Sequence, residues 1–434
     1  MSINSNFFLN KKILIYGLGI TGLSAFKFLK NRNDVFLFDD YLSKKKSLNI
    51  IKKKLISYNK ILKSQFDRIL LSPGIDINRC KLSKFLKKNQ KIIFSDLDIF
   101  YAFYPNKCIT ITGTNGKSTT SKLLYEILLK QKFDVRLVGN IGNPILSLKK
   151  IKKKTIFVIE ASSYQLEYSK LFRSKYAVIL NISPDHLERH KTLNNYIKAK
   201  FKLLANQSKE CVSFVNNKDF LIQKELRSRN FKSKIVNVDL KGTNNFLKKI
   251  NNNYFLTDTN KENLSFVLEI SKKLKLKNEL IIKTIKNFKG LKYRQQIIFQ
   301  KKNLIIINDS KSTSFSSSIG TLKANPNIFW LLGGISKKGD KLNLSKEYFK
   351  NIKAFIYGNN KEFFNRQLKG KVKFKNFKNI KEALGRIFFE VKKQKFKNQT
   401  ILFSPAAASF DSFKNFEERG AYFNELVRRH LNEV

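Results

Sequence analysis

The sequence predicts an α/β protein of three successive domains, over residues 1–95, 96–292 and 293–434. Three observations carry that expectation. Short apolar, β-branched runs alternate with helix-patterned stretches along the whole chain. Glycine-containing loops follow several of those runs. The length of 434 residues allows two to four domains with sizeable cores.

The first segment reads as strands at 12–16, 35–38, 68–71 and 91–94 with helices between them, a parallel α/β unit of Rossmann type. Its first turn is Gly17-Leu-Gly-Ile-Thr-Gly22, and Asp39 ends the second strand. GxGxxG between a strand and a helix holds a nucleotide diphosphate at the helix start. The same glycines also serve where strand and helix simply pack closely. The pattern favours the nucleotide and does not say which one.

The second segment opens near Asp96 and contains Ile109-Thr-Ile-Thr-Gly-Thr-Asn-Gly-Lys-Ser-Thr119. Apolar residues run into Gly113 and Gly116, and a helix-like run follows from Thr119. This is a strand, a tight loop and a helix N-terminus, the arrangement that wraps a polyphosphate with backbone N–H groups. Lys117 would reach the outer phosphates and the Ser118 hydroxyl would ligate magnesium. The spacing is unusual: two residues separate the glycines where the general P-loop has four. The loop is therefore a P-loop variant or a chance turn, and its strand and helix context favours the first. Strands follow at 135–138, 155–159, 176–181 and 211–215. Residues 218–257 read as short strands and loops, and helices as 261–274 and 278–287.

Open α/β sheets bind ligands at the carboxyl ends of their strands. Here those ends hold Lys117, Ser118, Glu160, Asp185 and His186. Glu160 ends the apolar run Ile156-Phe-Val-Ile159, where a carboxylate needs a metal, a partner or a shifted pKa. A magnesium ligand fits best; a satisfied structural acid is the plainer reading. A lone histidine is usually structural, but His186 lies beside a phosphate loop and an orphan acid, which favours a metal or phosphate role. His190 and His430 have no such context.

Lys200 is the more unusual residue. On the helix 193–204, Leu193, Tyr196, Ile197, Phe201 and Leu204 form one stripe at about 100° per residue. Lys200 falls inside that stripe, with Lys198 and Lys202 opposite. Either its ammonium snorkels to the helix edge, or its charge is neutralised or reversed, for example by CO₂ to give a metal-binding carbamate.

The third segment, from Tyr293, reads as strands at 304–308, 328–332, 354–357 and 400–403. Polar loops follow three of them: Asn308-Asp-Ser-Lys-Ser-Thr313, Gly333-Gly-Ile-Ser-Lys-Lys-Gly-Asp340, and a run from Ser404 to Phe416. They suit an anionic small molecule at one sheet edge. The residues alone therefore describe an ATP- and magnesium-dependent enzyme with a second nucleotide-like site and a third, anion-binding domain.

Composition narrows the class. A net charge of +54 suggests nucleic acid or an anionic membrane. The stronger reading is base composition: Lys, Asn, Ile and Phe are abundant, Gly, Pro and Trp are scarce, and the lysines are spread over the whole chain. No specific nucleic-acid role is expected. No 18-residue apolar run is present, so no membrane insertion is expected. Residues 1–10 carry no charged n-region, so no signal peptide is expected. Cys80, Cys108 and Cys211 are few and far apart, and read as reduced thiols of a cytoplasmic protein.

At these residues the chain resembles the Mur ligases of peptidoglycan synthesis. The resemblance runs through GLGITGLS at 17–24, SPGI at 72–75, TGTNGKST at 112–119, GNIG at 139–142 and EASSYQLE at 160–167. It continues with NISPDHLERH at 181–190, YIKAK at 196–200, NDSKST at 308–313, GGISKKGD at 333–340 and SPAAASFDSFKNFEERG at 404–420. The SSYQLE run and the C-terminal motif are most specific to the branch that adds D-glutamate to UDP-N-acetylmuramoyl-L-alanine through an acyl phosphate.

The resemblance implies a UDP-binding Rossmann-like domain, a central P-loop ATPase sheet and a Rossmann-like domain for the incoming amino acid. It implies ATP held by Gly113, Thr114, Asn115, Gly116, Lys117, Ser118, Thr119, Asn263, Arg294 and Asp309. It implies two Mg²⁺, with Ser118 and Glu160 near the first and His186 with a carbamylated Lys200 at the second. Catalysis would rest on Lys117, Glu160, His186 and Lys200. Gly19, Ile20, Thr21, Asp39, Ser72, Pro73, Gly74 and Asn140 would meet the UDP-muramoyl substrate, and Lys311, Thr313, Lys337, Ser409 and Phe416 the D-glutamate. A cytoplasmic monomer is the expected state.

Tyr293, Ser314, Lys338 and Asp40-Tyr41 depart from the family's usual residues, which bears on the ATP-ribose and UDP details and leaves the phosphoryl-transfer residues untouched. The near alternative is a sibling ligase for another amino acid. More distant are a basic P-loop protein that binds nucleic acid and a ligase-like protein without activity.

Overall fold

The computed structural model describes residues 4–41, 49–240, 243, 246–247, 250, 252–255, 257–301, 303–337, 339–393 and 398–432. Lys338 and residues 1–3 lie outside the described residues. Three sheets carry the fold, in two compact units. The first unit comprises Met1–Gly242 with Ser265–Ile281, and the second Thr243–Leu264 with Ile282–Val434.

The first sheet joins β1 (Lys12–Tyr16), β2 (Asp34–Phe38), β3 (Arg68–Leu71) and β4 (Ile93–Phe94) in the order β2-β1-β3-β4, all parallel. Ile13 to Tyr16 of β1 are buried on both faces, as a central parallel strand requires. β4 is shorter than expected because Gln90–Ile92 form a 3₁₀ turn. β1 turns at Gly17 into the helix Ile20–Leu29. A Cβ on Gly22 would sit 1.9 Å from the Gly17 carbonyl oxygen, so the turn excludes any side chain there.

The helix Asp96–Phe103 leads to the second sheet and opens with a capping box of Ser95 and Asp98. Asp98 is fully buried. Its carboxylate accepts from the Ser95 N–H and hydroxyl, the Ser169 hydroxyl and the N–H groups of Lys170, Leu171 and Phe172.

The second sheet contains β5 (Cys108–Thr112), β6 (Val135–Gly139), β7 (Ile156–Glu160), β8 (Tyr176–Ile179), β9 (Val212–Asn216) and β10 (Lys234–Val238). Its order is β10-β9-β8-β5-β7-β6, all parallel, with β5 and β7 buried throughout. The stretch expected to be short strands and loops holds one such strand, the edge strand β10, and also the helix Phe220–Ser228, capped by Asp219, which was not expected. Only Ile222 of that helix is buried, so its apolar pattern is faint.

In the second unit β11 (Gln296–Lys301), β12 (Leu304–Asn308), β13 (Ile328–Gly333), β14 (Ile352–Tyr357), β15 (Lys373–Phe377) and β16 (Gln399–Phe403) pair in the order β11-β12-β16-β13-β14-β15. The four expected strands are the interior ones. β11, which runs antiparallel to β12 and makes the sheet mixed, and β15 are the edges. Neither contains a buried residue, which is why neither reads as an apolar run. Among the described residues no helix is long and apolar enough to cross a membrane.

Candidate active site

In the first unit, β5 ends in the loop Gly113–Gly116, and the helix Lys117–Lys130 begins at Gly116 with φ +82°. The strand–loop–helix reading therefore holds. Lys117 folds back over the loop, donating from Nζ to the carbonyls of Gly113 and Thr114, both at 2.8 Å. Ser118 and Thr119 are buried in the first helical turn.

The helix Leu193–Ala205 presents Lys200 to the same carbonyl. Its Nζ lies 2.8 Å from Gly113 O, 3.5 Å from Thr112 Oγ1 and 4.6 Å from the centre of the Tyr196 ring. Lys200 is 1 % exposed, so it does not snorkel. Burial, then the neighbouring Lys117 charge, hold its ammonium well below the ordinary lysine range. Lys198 is exposed, as the helical stripe predicts. Lys202, expected on the solvated face, is instead half-buried and donates to the Glu167 carbonyl.

Glu160 ends β7 and is 1 % exposed. Its Oε1 accepts from Asn140 Nδ2 at 2.9 Å, while the buried Oε2 has no hydrogen-bond partner. A buried carboxylate oxygen left in this state is costly. A cation bound between it and a phosphate would satisfy it, so the donor set fits magnesium. Among the described residues no three His, Cys, Asp or Glu side chains cluster as a metal site by themselves. A cation here would therefore draw further ligands from the Ser118 hydroxyl, from phosphate or from a modified Lys200.

The loop after β8 closes against the phosphate loop. Asn181 O accepts from Thr114 N, Asn181 Oδ1 accepts from Asn115 N, and Thr114 Oγ1 lies 3.0 Å from Tyr196 Oη. His186 is held at φ +55°, with Nε2 3.4 Å from Asp185 and Nδ1 3.5 Å from Glu188. Its ring stays partly exposed and lies 4.9 Å from that of Tyr164.

Two residues of this region carried no signal in the sequence reading. His190 is buried, stacks on Tyr164 and meets Ser163 Oγ at 3.0 Å. Burial above all, then Arg189, push its imidazolium down to about 4, so the ring is neutral near pH 7. Arg189 reaches Glu167 at 3.1 Å, Tyr168 Oη at 2.8 Å and Asp76 at 3.9 Å. It thereby ties the His186 loop to the residue that follows Ser72-Pro-Gly-Ile75.

In the first sheet's turn, Asp39 Oδ2 accepts from Leu18 N at 2.7 Å and Ser72 Oγ donates to Gly17 O at 2.6 Å. These bonds and the crowding at Gly22 give the turn a packing reason. Gly19 and Gly74 differ: a Cβ on either would meet no atom within 4 Å. Ile20 is 78 % exposed beside Gly19. Tyr16 Oη donates to the Asp40 carboxylate, which accounts for the acid that follows Asp39.

The second unit gathers the remaining residues. Asn263 is buried, with Oδ1 unpartnered, on the helix Asp258–Lys273. Asp309 accepts from Gln295 N and Ser404 Oγ, and burial raises its carboxyl to about 7 against those bonds. The Lys311 ammonium lies 4.0 Å and the Arg294 guanidinium 5.9 Å from the Phe416 ring centre. Ser409 is buried, and Thr313 and Lys337 are half-buried on neighbouring loops. Two departures have structural roles. Ser314 caps the helix Phe315–Ala324, and the Tyr293 ring packs on Gly420, where a Cβ would lie 2.4 Å from it.

A phosphate loop on a parallel sheet, followed by a third sheet with polar loops at its strand ends, is the architecture of an ATP-dependent ligase. The family model for the Mur ligase middle domain matches residues 111–283, and that for the MurD-like N-terminal domain of Mur ligases matches 11–94. The chain belongs to the Mur ligase family. It is 34 % identical to the UDP-N-acetylmuramoylalanine–D-glutamate ligase of Rickettsia felis, over 98 % of each chain. It is 36 % identical to the protein of that name from Buchnera aphidicola, over 98 % of this chain and 99 % of that one. The MurF ligase of Thermotoga maritima in complex with ADP shares the fold, with a TM-score of 0.57 at 15 % identity over 99 % of this chain and 97 % of that one.

Proposed function

We infer that this protein is an ATP-dependent ligase that joins D-glutamate to UDP-N-acetylmuramoyl-L-alanine in peptidoglycan synthesis. The observation that carries the chemistry is the meeting of Lys117 and Lys200 on the Gly113 carbonyl, with the unpartnered Glu160 oxygen at the adjacent strand end. The likeness over nearly the full length of the D-glutamate ligases supports the choice of substrates.

The reaction has two steps. The alanyl carboxylate attacks the γ-phosphorus of ATP, the bond to the β–γ bridging oxygen breaks, and ADP leaves. The D-glutamate amine then attacks the acyl carbon, loses a proton, and phosphate departs as the amide forms. In the first step Lys117 leaves the loop carbonyls for the transferring phosphoryl group and neutralises charge there. Magnesium, when bound, supplies the remaining neutralisation. Ser118 and Glu160 would hold one ion, and His186 with a carbamylated Lys200 the other. The carbamate reading draws support from the burial of Lys200 beside a second ammonium, where only a neutral or negative group is comfortable.

The other roles follow the same reading. The Gly113–Thr119 loop with Asn263, Arg294 and Asp309 binds ATP. Gly19, Ile20, Thr21, Asp39, Ser72, Pro73, Gly74 and Asn140 bind the UDP-muramoyl substrate, and the open space over Gly19 and Gly74 supports this. Lys311, Thr313, Lys337, Ser409 and Phe416 receive D-glutamate. We divide the chain into substrate, ATPase and acceptor domains at residues 95 and 292. The three cysteines are unpaired thiols, which supports a cytoplasmic enzyme; we take it to be a monomer, which sedimentation checks. The deciding experiment is ADP release that requires both UDP-N-acetylmuramoyl-L-alanine and D-glutamate. Turnover with another amino acid and none with D-glutamate would overturn the assignment.

A further inference from the structure

Arg419 is 0 % exposed, among the largest fully buried side chains of the described residues, and on the helix Phe416–Asn432. A guanidinium is rarely placed so deep without a carboxylate partner. Here its hydrogen-bond acceptors are dipoles, Nη1 has none, and its charge is felt by the neighbouring Asp309 carboxyl. Nε donates to Ser310 Oγ at 3.1 Å, and Nη2 donates to the carbonyls of Ser310 at 2.7 Å and Ala407 at 3.0 Å.

Those acceptors belong to two loops at neighbouring strand ends. Ser310 follows β12, and Ala407 follows β16. A third loop, after β13, is drawn in from above. A Cβ on Gly334, which holds φ +119°, would lie 3.2 Å from Arg419 Nη1 and 2.5 Å from Ala408 O. Ile335 and Ala408 exchange two backbone hydrogen bonds. Ser310 Oγ donates onward to Phe416 O at 2.9 Å. Ala406, next to one acceptor, is held at φ +54°, a conformation that persists for a non-glycine residue only where its surroundings impose it.

The three loops and the helix start carry every residue read above as receiving D-glutamate. We propose that Arg419 is the positioning residue of the acceptor site, holding these loops in register from beneath without touching the amino acid. The proposal rests on the acceptor-site reading of the previous section. Its physical content is specific. Removing the guanidinium leaves the Ser310 and Ala407 carbonyls without their donor and detaches two loops from each other. The phosphate loop is not among its partners.

The test compares Arg419→Met, Arg419→Lys and Ser310→Ala with the parent enzyme, with thermal melting as the check of folding. Arg419→Met should raise KM for D-glutamate at least about tenfold. KM for the UDP-muramoyl substrate should stay within about twofold, as should ADP release driven by hydroxylamine in place of D-glutamate at saturating ATP. Arg419→Lys, which restores part of the donor set, should fall between the two. If Arg419→Met does not fold, Ser310→Ala decides: it removes one acceptor and should raise KM for D-glutamate about threefold with the other constants unchanged. An unchanged KM for D-glutamate, or an equal loss in the hydroxylamine reaction, overturns the proposal. If the parent enzyme uses a different amino acid, the substrate reading fails separately, and the same KM comparison is made with that amino acid.

Discussion

The strand ends around β5 in the first unit and those around β12, β16 and β13 in the second handle positive charge in opposite ways. Around β5, two lysines bend onto one backbone carbonyl, and the acid beside them keeps a buried oxygen unpartnered. Around β12 and β16, the cations Lys311 and Arg294 lie over an aromatic face, and the buried Arg419 spends three hydrogen bonds on loop backbone and hydroxyl. The first arrangement brings two cations together beside a carboxylate oxygen without a hydrogen-bond partner, as the proposed ATP and magnesium site requires. The second places its cations on partners within the unit, with only Nη1 of the Arg419 guanidinium left without an acceptor. Charge transfer suits the first, and selection of a small zwitterion the second.

The largest test of that contrast is Lys117→Ala. It should lower ATP-dependent turnover about 10³-fold with little change in melting temperature, because the side chain stabilises phosphoryl charge and not the fold. A drop of only a few-fold would mean that the charges around β5 are structural after all. Next comes Lys200→Ala, expected to lose about 10²-fold or more and to regain part of it with formate or acetate. Failure of rescue, together with an unmodified lysine in the active enzyme, would remove the carbamate from the first arrangement.

A smaller effect is expected in the second unit. Phe416→Leu should raise KM for D-glutamate about fivefold by taking away the face on which Lys311 and Arg294 lie. A fall in kcat with constant KM would show instead that this edge acts on chemistry. The smallest effect is one of stability. The Asp309 carboxyl, at 3.8 in ordinary surroundings, is raised to about 7 by burial. The folded chain thus holds a proton there that the unfolded chain has lost, so this residue favours folding most at low pH and progressively less from about 4 to 7. Asp309→Asn should melt higher than the parent at pH 8 by more than it does at pH 5. A pH-independent difference would place a charged Asp309 in the folded protein.

Much of this was legible in the residues. Strands buried on both faces, β1, β5, β7 and β13 among them, announce themselves as apolar runs. The edges β10, β11 and β15 do not, since nearly all their residues are half-buried or exposed. Lys200 was found because it interrupts an apolar helical stripe. Arg419 interrupts one as well: with Phe423, Leu426 and Val427 it shares a face of its helix at about 100° per residue. The same test applied to that helix finds it. Arg189 sits on a four-residue helix with no stripe to interrupt, and among 86 basic residues it has no mark of its own. Glu160 was marked as an orphan acid by the apolar run it ends, while its hydrogen bond from Asn140 depends on a loop 20 residues away, which no local pattern encodes.

Asp98 draws a different boundary from the one that sheet counting suggests. Six donors from two distant stretches, 95 and 169–172, converge on that one carboxylate. A recombinant that imports residues 1–95 keeps Asp98 and the residue 95 N–H and keeps the hydroxyl donor only if the imported residue supplies one, and one that imports the segment around 170 must bring N–H groups in the same places. In this chain one buried carboxylate thus fastens residue 95, at the end of the first segment, to residues 169–172 of the second.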